Sequence, residues 1–189
     1  MQPIIVSLLI FLSLTLQAQK NIFIQPLGEV STQVINVIKS SVEQFYGFNC
    51  IVKPKVNFTN EILADSRTRY EASRILRKYK STENLLIITE KDIACEKGSI
   101  HEWGIFGLGY RPGVTCVVST FRLKRNVSKD KFYDRVTKVC LHEIGHNLGL
   151  VHCNFDKKCM MNDARGKIKQ VDQEKIWFCD NCKKYIGIH

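Results

Sequence analysis

The chain has no apolar run long enough to span a bilayer, which takes about 20 residues, and no internal repeat or low-complexity tract. It also lacks an aromatic stacking platform interleaved with its basic residues, and no nucleic-acid recognition module is present. The net charge of +10 is scattered through residues 67–80, 122–138 and 157–184. That distribution reads as a solvated basic surface, attractive to anionic surfaces or acidic substrates, and no nucleic-acid partner is expected. Hydrophobic residues make up 44% of the 189 positions, enough for the core of one domain, read here as a monomer. Histidine is scarce at five residues, and three of those five lie between His142 and His152.

The N-terminus is set apart by composition. Ile4 to Leu16 is apolar apart from Ser7, Ser13 and Thr15. That length fits the apolar core of a signal peptide, with Ala18 as the small residue at a cleavage site. No Lys or Arg precedes the run, and Leu16 stands where a small residue is usual. The expectation is a signal peptide over 1–18 and export of 19–189, periplasmic or secreted. The alternatives are an uncleaved membrane anchor, a first strand, or an intracellular protein.

The run from His142 to His152 reads HEIGHNLGLVH. On a helix, His142 and His146 project from one face, four residues apart, as two ligands of one zinc require. Glu143 sits where a general base for a zinc-bound water belongs. Gly149 permits a positive φ that ends the helix and returns His152 as the third ligand. The fourth position stays open, as in hydrolytic zinc sites. HExxH alone also arises by chance in helices. The fixed offsets of Gly149 and His152 make the longer pattern restrictive.

Periodicity gives strands at Asn21 to Leu27, Cys50 to Phe58, Leu85 to Thr89, Trp103 to Leu108 and Val114 to Thr120. The last two are expected to form a hairpin about Arg111-Pro112-Gly113. Helices are expected over Val30 to Phe45, over Arg67 to Lys80, and over Lys129 to Leu148 with Ser128 as N-cap. In the last, Phe132, Val136, Cys140, Ile144 and Leu148 should form the buried stripe, leaving the histidine face toward a cleft. An α/β upper lobe over about 19–149 and a small cysteine-rich lower lobe over about 150–189 follow.

The eight cysteines divide into two groups. Cys153, Cys159, Cys179 and Cys182 have spacings suited to a closed structural zinc, and two disulfides are the alternative. The absence of a second CxxC argues against a zinc ribbon. Cys116 and Cys140 read as buried free thiols, and Cys50 with Cys95 is an open disulfide candidate.

Together these residues resemble the archaemetzincin family. Its pattern joins HExxHxxGxxH directly to a cysteine, then CxM, a seventeen-residue spacer and CxxC. Here Cys153 follows His152, Cys159-Met160-Met161 gives CxM, and Asn162 to Phe178 gives the spacer. Five residues separate Cys153 from Cys159 where the family usually has four. Leu86 to Ile93, Trp103 to Leu108 and Val117 to Leu123 are similar to the family's upstream strands. The resemblance implies an α/β (α+β) metzincin-like fold, with a mixed, mostly parallel twisted sheet, backing and active-site helices, and a zinc-binding C-terminal lobe. It implies a zinc metallopeptidase acting on peptide or protein substrates. A catalytic zinc on His142, His146 and His152 would be joined by a structural zinc on the four late cysteines, two Zn2+ per chain. Glu143 would be the base, Met161 the residue beneath the site, and Ile105 to Leu108 the cleft wall that pairs with extended substrate. A non-catalytic zinc-containing peptide binder on the same scaffold is the alternative.

Overall fold

The structure, a computed structural model, describes residues 19–187. The expected signal segment, 1–18, lies outside the described residues. Strand β1 (Asn21–Pro26) leads into helix α1 (Thr32–Tyr46). The helix buries Val34, Ile35, Ile38 and Val42 on one stripe, and Gly47 ends it in the left-handed conformation at φ 67°.

Strand β2 (Asn49–Val52) is shorter than the expected Cys50 to Phe58. Pro54 has no N–H to continue the ladder, and beyond it only Val56 bridges back to Leu27. The expected helix over Arg67 to Lys80 is likewise cut down. Arg67 turns the chain at φ 59°, Tyr70–Glu71 form the short strand β3, and helix α2 covers Ala72–Lys78. Arg69 is withdrawn from the helix by its ion pair with Asp92 at 3.0 Å.

Strand β4 (Leu85–Thr89) is buried at every position, as its continuous apolar run requires. Strands β5 (Ile93–Lys97) and β6 (Ile100–Ile105) follow as an antiparallel pair, then β7 (Gly107–Gly109) and β8 (Thr115–Ser119). The expected single strand Trp103 to Leu108 is therefore two strands in two sheets. Trp103 to Ile105 pair with β5, and only Gly107–Gly109 pair antiparallel with β8. The break falls at Phe106, whose carbonyl accepts from the Ser119 N–H at 2.8 Å.

The large sheet has the order β2-β1-β4-β8-β7, parallel except for the edge strand β7, and the small one the order β3-β5-β6. Alternation along the strands sorts the core. Leu86, Ile88, Cys116 and Val118 pack with α1 and with helix α3 (Lys129–Asn147). Leu85, Ile87 and Val117 pack with Ile75 and Leu76 of α2 on the other face. Helices α4 (Ile168–Gln173) and α5 (Asp180–Ile186) complete the chain. Phe178 ties this last region to α1, meeting Phe45 edge-on at 5.0 Å between ring centroids. The architecture is mixed α/β, with a mostly parallel sheet and an antiparallel edge.

Cys50 and Cys95 are not joined. Cys50 pairs with Ile22 in the large sheet and Cys95 with Trp103 in the small one, and both are free thiols. Cys116 and Cys140 are buried free thiols, as expected. No helix among the described residues is long and apolar enough to cross a membrane.

Candidate active site

The site is built on the C-terminal half of α3. Ser128 caps the helix by accepting from the Lys131 N–H at 3.3 Å, and Asp130 lies in its first turn. Val136, Cys140 and Ile144 are buried, while Phe132 and Leu148 at the ends of the stripe are only partly so. The burial extends further round than a single stripe, to Leu141 and Val139, because the C-terminal region packs on the side opposite the sheet.

The helix ends where the sequence places its glycine. Gly149 has φ 101°; its N–H donates to His146 O at 2.9 Å, and the Leu150 N–H donates to Gly145 O at 3.0 Å. This pair of backward bonds is a Schellman turn. It reverses the chain and brings His152 to face His146, with ring centroids 4.9 Å apart; His142 and His146 are 4.6 Å apart.

One ring nitrogen from each of His142, His146 and His152 falls within 4.8 Å of the others. The Nδ1 atoms of His142 and His146 are committed to backbone carbonyls, Met160 O and Leu150 O, each at 2.7 Å. Those bonds assign the proton to Nδ1 and leave the Nε2 lone pairs available. Burial lowers all three histidine pKa values, and that of His142 falls to about 3. Three neutral imidazoles presenting lone pairs to one point fit a zinc ion.

Glu143 is 7% exposed, and burial pushes its carboxyl up to about 8, partly opposed by the Gly109 N–H. The edge strand approaches it closely: a Cβ at Gly107 would lie 2.6 Å from Glu143 Oε1, and one at Gly109 3.3 Å from Oε2. Two glycines in β7 therefore admit the side chain. Sequence reading did not single them out, although the alternating Gly-Leu-Gly was in view.

The four late cysteines converge as a second cluster, all buried. Their Sγ atoms are 3.6 Å apart for Cys153–Cys179 and Cys179–Cys182, and 3.8 Å for Cys159–Cys182. Four thiolates on a tetrahedral zinc, with Zn–S of about 2.3 Å, would sit about 3.8 Å apart. A disulfide needs about 2 Å. Backbone N–H groups of Phe155 and Cys179 donate to Cys153 Sγ and Cys159 Sγ, each at 3.4 Å, which favours thiolate charge. The extra residue before Cys159 is absorbed in a turn, where Asp156 Oδ1 accepts from the Lys158 N–H at 2.7 Å and Asp156 O from the Cys159 N–H at 3.1 Å.

Met161 is fully buried and lies under α3; a Cβ on Gly145 would come 2.7 Å from its sulfur. Its carbonyl accepts from the Cys153 N–H at 2.7 Å, linking the two clusters. Asp92 is another anchor that spacing alone did not reveal. It receives Arg69 and a two-toothed bond from Arg122, at 2.7 and 3.0 Å.

An open cleft of about 550 Å³ runs past both histidines of α3 and His152. Ile105 to Gly109 form its upper wall, and Asn162 to Gly166 with Val171 and Glu174 its lower wall.

Residues 27–187 match Peptidase family M54. Similar curated proteins include an archaemetzincin of Archaeoglobus fulgidus, 32% identical, covering 87% of this chain and 98% of that protein. One of Halobacterium salinarum is 29% identical over 86% of this chain and 97% of its own length. Among solved structures, the Archaeoglobus fulgidus archaemetzincin complexed with malonate superposes with a TM-score of 0.77 at 30% identity, covering 87% of this chain and 99% of that one. Archaemetzincin from Methanopyrus kandleri superposes at 0.76 and 24% identity, covering 92% and 97%, a likeness of fold. With a mixed sheet of this order, a three-histidine cluster at the C-terminal end of α3 and the turn after it, and a four-cysteine cluster beyond, the chain belongs to the archaemetzincins, Peptidase family M54, and is a zinc metallopeptidase.

Proposed function

We propose that peptide-bond hydrolysis takes place where His142, His146 and His152 converge, with Glu143 as the general base. The observation that carries this reading is the buried carboxyl of Glu143 beside three neutral imidazoles on an open cleft. Zinc held by the three histidines supplies Lewis acidity. Glu143 accepts the proton of the attacking water and passes it to the departing amide nitrogen. The Gly109 N–H favours the ionised carboxylate that this role needs. The free edge of β7 offers backbone groups for an extended substrate segment.

A second zinc on Cys153, Cys159, Cys179 and Cys182 holds the C-terminal region against α3. The sulfur spacings support it. We read Met1–Ala18 as an export signal, on its apolar composition; loss of these residues from protein recovered outside the cytoplasm is the check.

The test of catalysis compares the zinc-loaded chain with Glu143→Ala on a mixed peptide library. The expected loss is about 10²- to 10⁴-fold in kcat with zinc content unchanged. Equal turnover by both proteins would overturn the assignment of the base.

A further inference from the structure

The inner end of the cleft holds a carboxyl group that the hydrolytic reading leaves without a role. Lys138, Val139, His142, Glu143 and His146 line the cleft along one face of α3. At a rise of about 1.5 Å per residue, Lys138 lies about 6 Å beyond His142, away from the metal cluster. Glu174, the C-cap of α4, closes this end beside Val171.

Glu174 is only 6% exposed. Its Oε1 accepts from Gln170 Nε2 at 3.1 Å, and among the described residues no cation lies within ion-pair distance. The neighbouring charges are already matched. Lys138 donates to Asp134 at 2.8 Å and to Val171 O at 3.2 Å, while Asp172 is held by Arg135 at 2.7 Å and Lys131 at 3.2 Å. At this end of the cleft Glu174 is buried without a counter-ion, and burial pushes its carboxyl up to about 7 despite Gln170 and Lys138.

An isolated buried carboxylate is costly, and a ligand that brings a cation to it removes that cost. Val139 and Val171 give the approach apolar sides, suited to the carbon stem of a long basic side chain. A carboxyl end group excludes an acidic side chain and leaves an apolar one with an unmatched polar partner.

We propose that this end of the cleft is a side-chain subsite that selects lysine or arginine in the peptide substrate, with Glu174 as the counter-ion. The proposal rests on the peptidase reading for its substrate, but not on turnover. It adds to that reading a charge preference that the basic surface of the chain opposes.

The experiment measures equilibrium binding to the full, zinc-loaded chain carrying Glu143→Ala. The probes are a peptide series in which each position in turn is lysine, norleucine or glutamate. At one position lysine should bind about tenfold tighter than norleucine, with glutamate weakest. Adding Glu174→Gln should bring the lysine-to-norleucine ratio at that position toward one. Equal binding at every position, a preference for glutamate, or a lysine preference that survives Glu174→Gln overturns the proposal. The first two results need no second variant to fold. Cleavage of the same peptides by the chain with Glu143 intact reads the catalytic assignment separately. Lysine preference without cleavage would overturn the hydrolytic reading and leave the subsite standing; cleavage without lysine preference would do the reverse.

Discussion

A Cβ added to Gly107 would lie 2.6 Å from Glu143 Oε1, so the edge strand approaches the proposed base too closely to carry a side chain at that position. The atoms in conflict are Cγ, Cδ and Oε1 of the buried Glu143 side chain, not backbone. Gly107→Ala should therefore displace the carboxylate. A fall in kcat of about tenfold or more, with KM little altered, is the expected result in steady-state kinetics.

The cysteine cluster predicts metal stoichiometry. Elemental analysis of the full chain should give two zinc ions, and Cys182→Ser should retain one. The same variant should melt at lower temperature, because the metal contributes directly to folding of a region with little core of its own. One zinc in the parent chain, with the four thiols oxidised, would contradict the assignment.

Acid stability should depend on Asp172. Arg135, beside it and 7% exposed, holds its carboxyl below the ordinary value of 3.8, with Lys131 assisting. A depressed carboxyl contributes stability above its unfolded pKa and loses it as pH falls through the lower folded value. Asp172→Asn should cost about 1–3 kcal/mol at pH 7, less than a fully buried pair because Asp172 is partly exposed. Denaturation curves of the two proteins should converge in strong acid.

Glu174 should act in the opposite sense. Its carboxyl is raised, from 4.5 to about 7, so the folded state keeps a proton that the unfolded state has released. Stability from this group falls as pH rises from about 4.5 to 7 and is then flat. Glu174→Gln should remove that slope and gain on the order of 1–3 kcal/mol above pH 7. A pH series of urea melts reads both quantities. A slope that persists in the variant would place the titrating group elsewhere.

Local patterns carried the site further than they carried the sheet. His142, His146 and His152 are set by helical spacing and one glycine, so their convergence was legible from residues within three turns of chain. The cysteine cluster was legible for a similar reason, since short spacings constrain geometry. The strands were harder. Ile93–Lys97 escaped notice because its charged end mimics a loop, and its partner β6 runs into β7 without a turn signal. Arg67 to Arg69 continued a helical charge pattern, yet the ion pair with Asp92, distant in sequence, decided their conformation. Gly107, Gly109 and Glu174 act through contacts made only after the sheet, α3 and α4 have met. No periodicity in one segment could have exposed them.

His152 and Cys153 are consecutive, and one belongs to each cluster. A single planar peptide bond therefore joins a ligand of one candidate ion site to a ligand of the other. An ion in either cluster would hold a residue adjacent to a ligand of the other, and by reciprocity any effect of one ion on the affinity for its neighbour would be returned to the same degree. Oxidation of the thiols would then reach the proposed hydrolytic centre through the chain itself, without a change in any histidine.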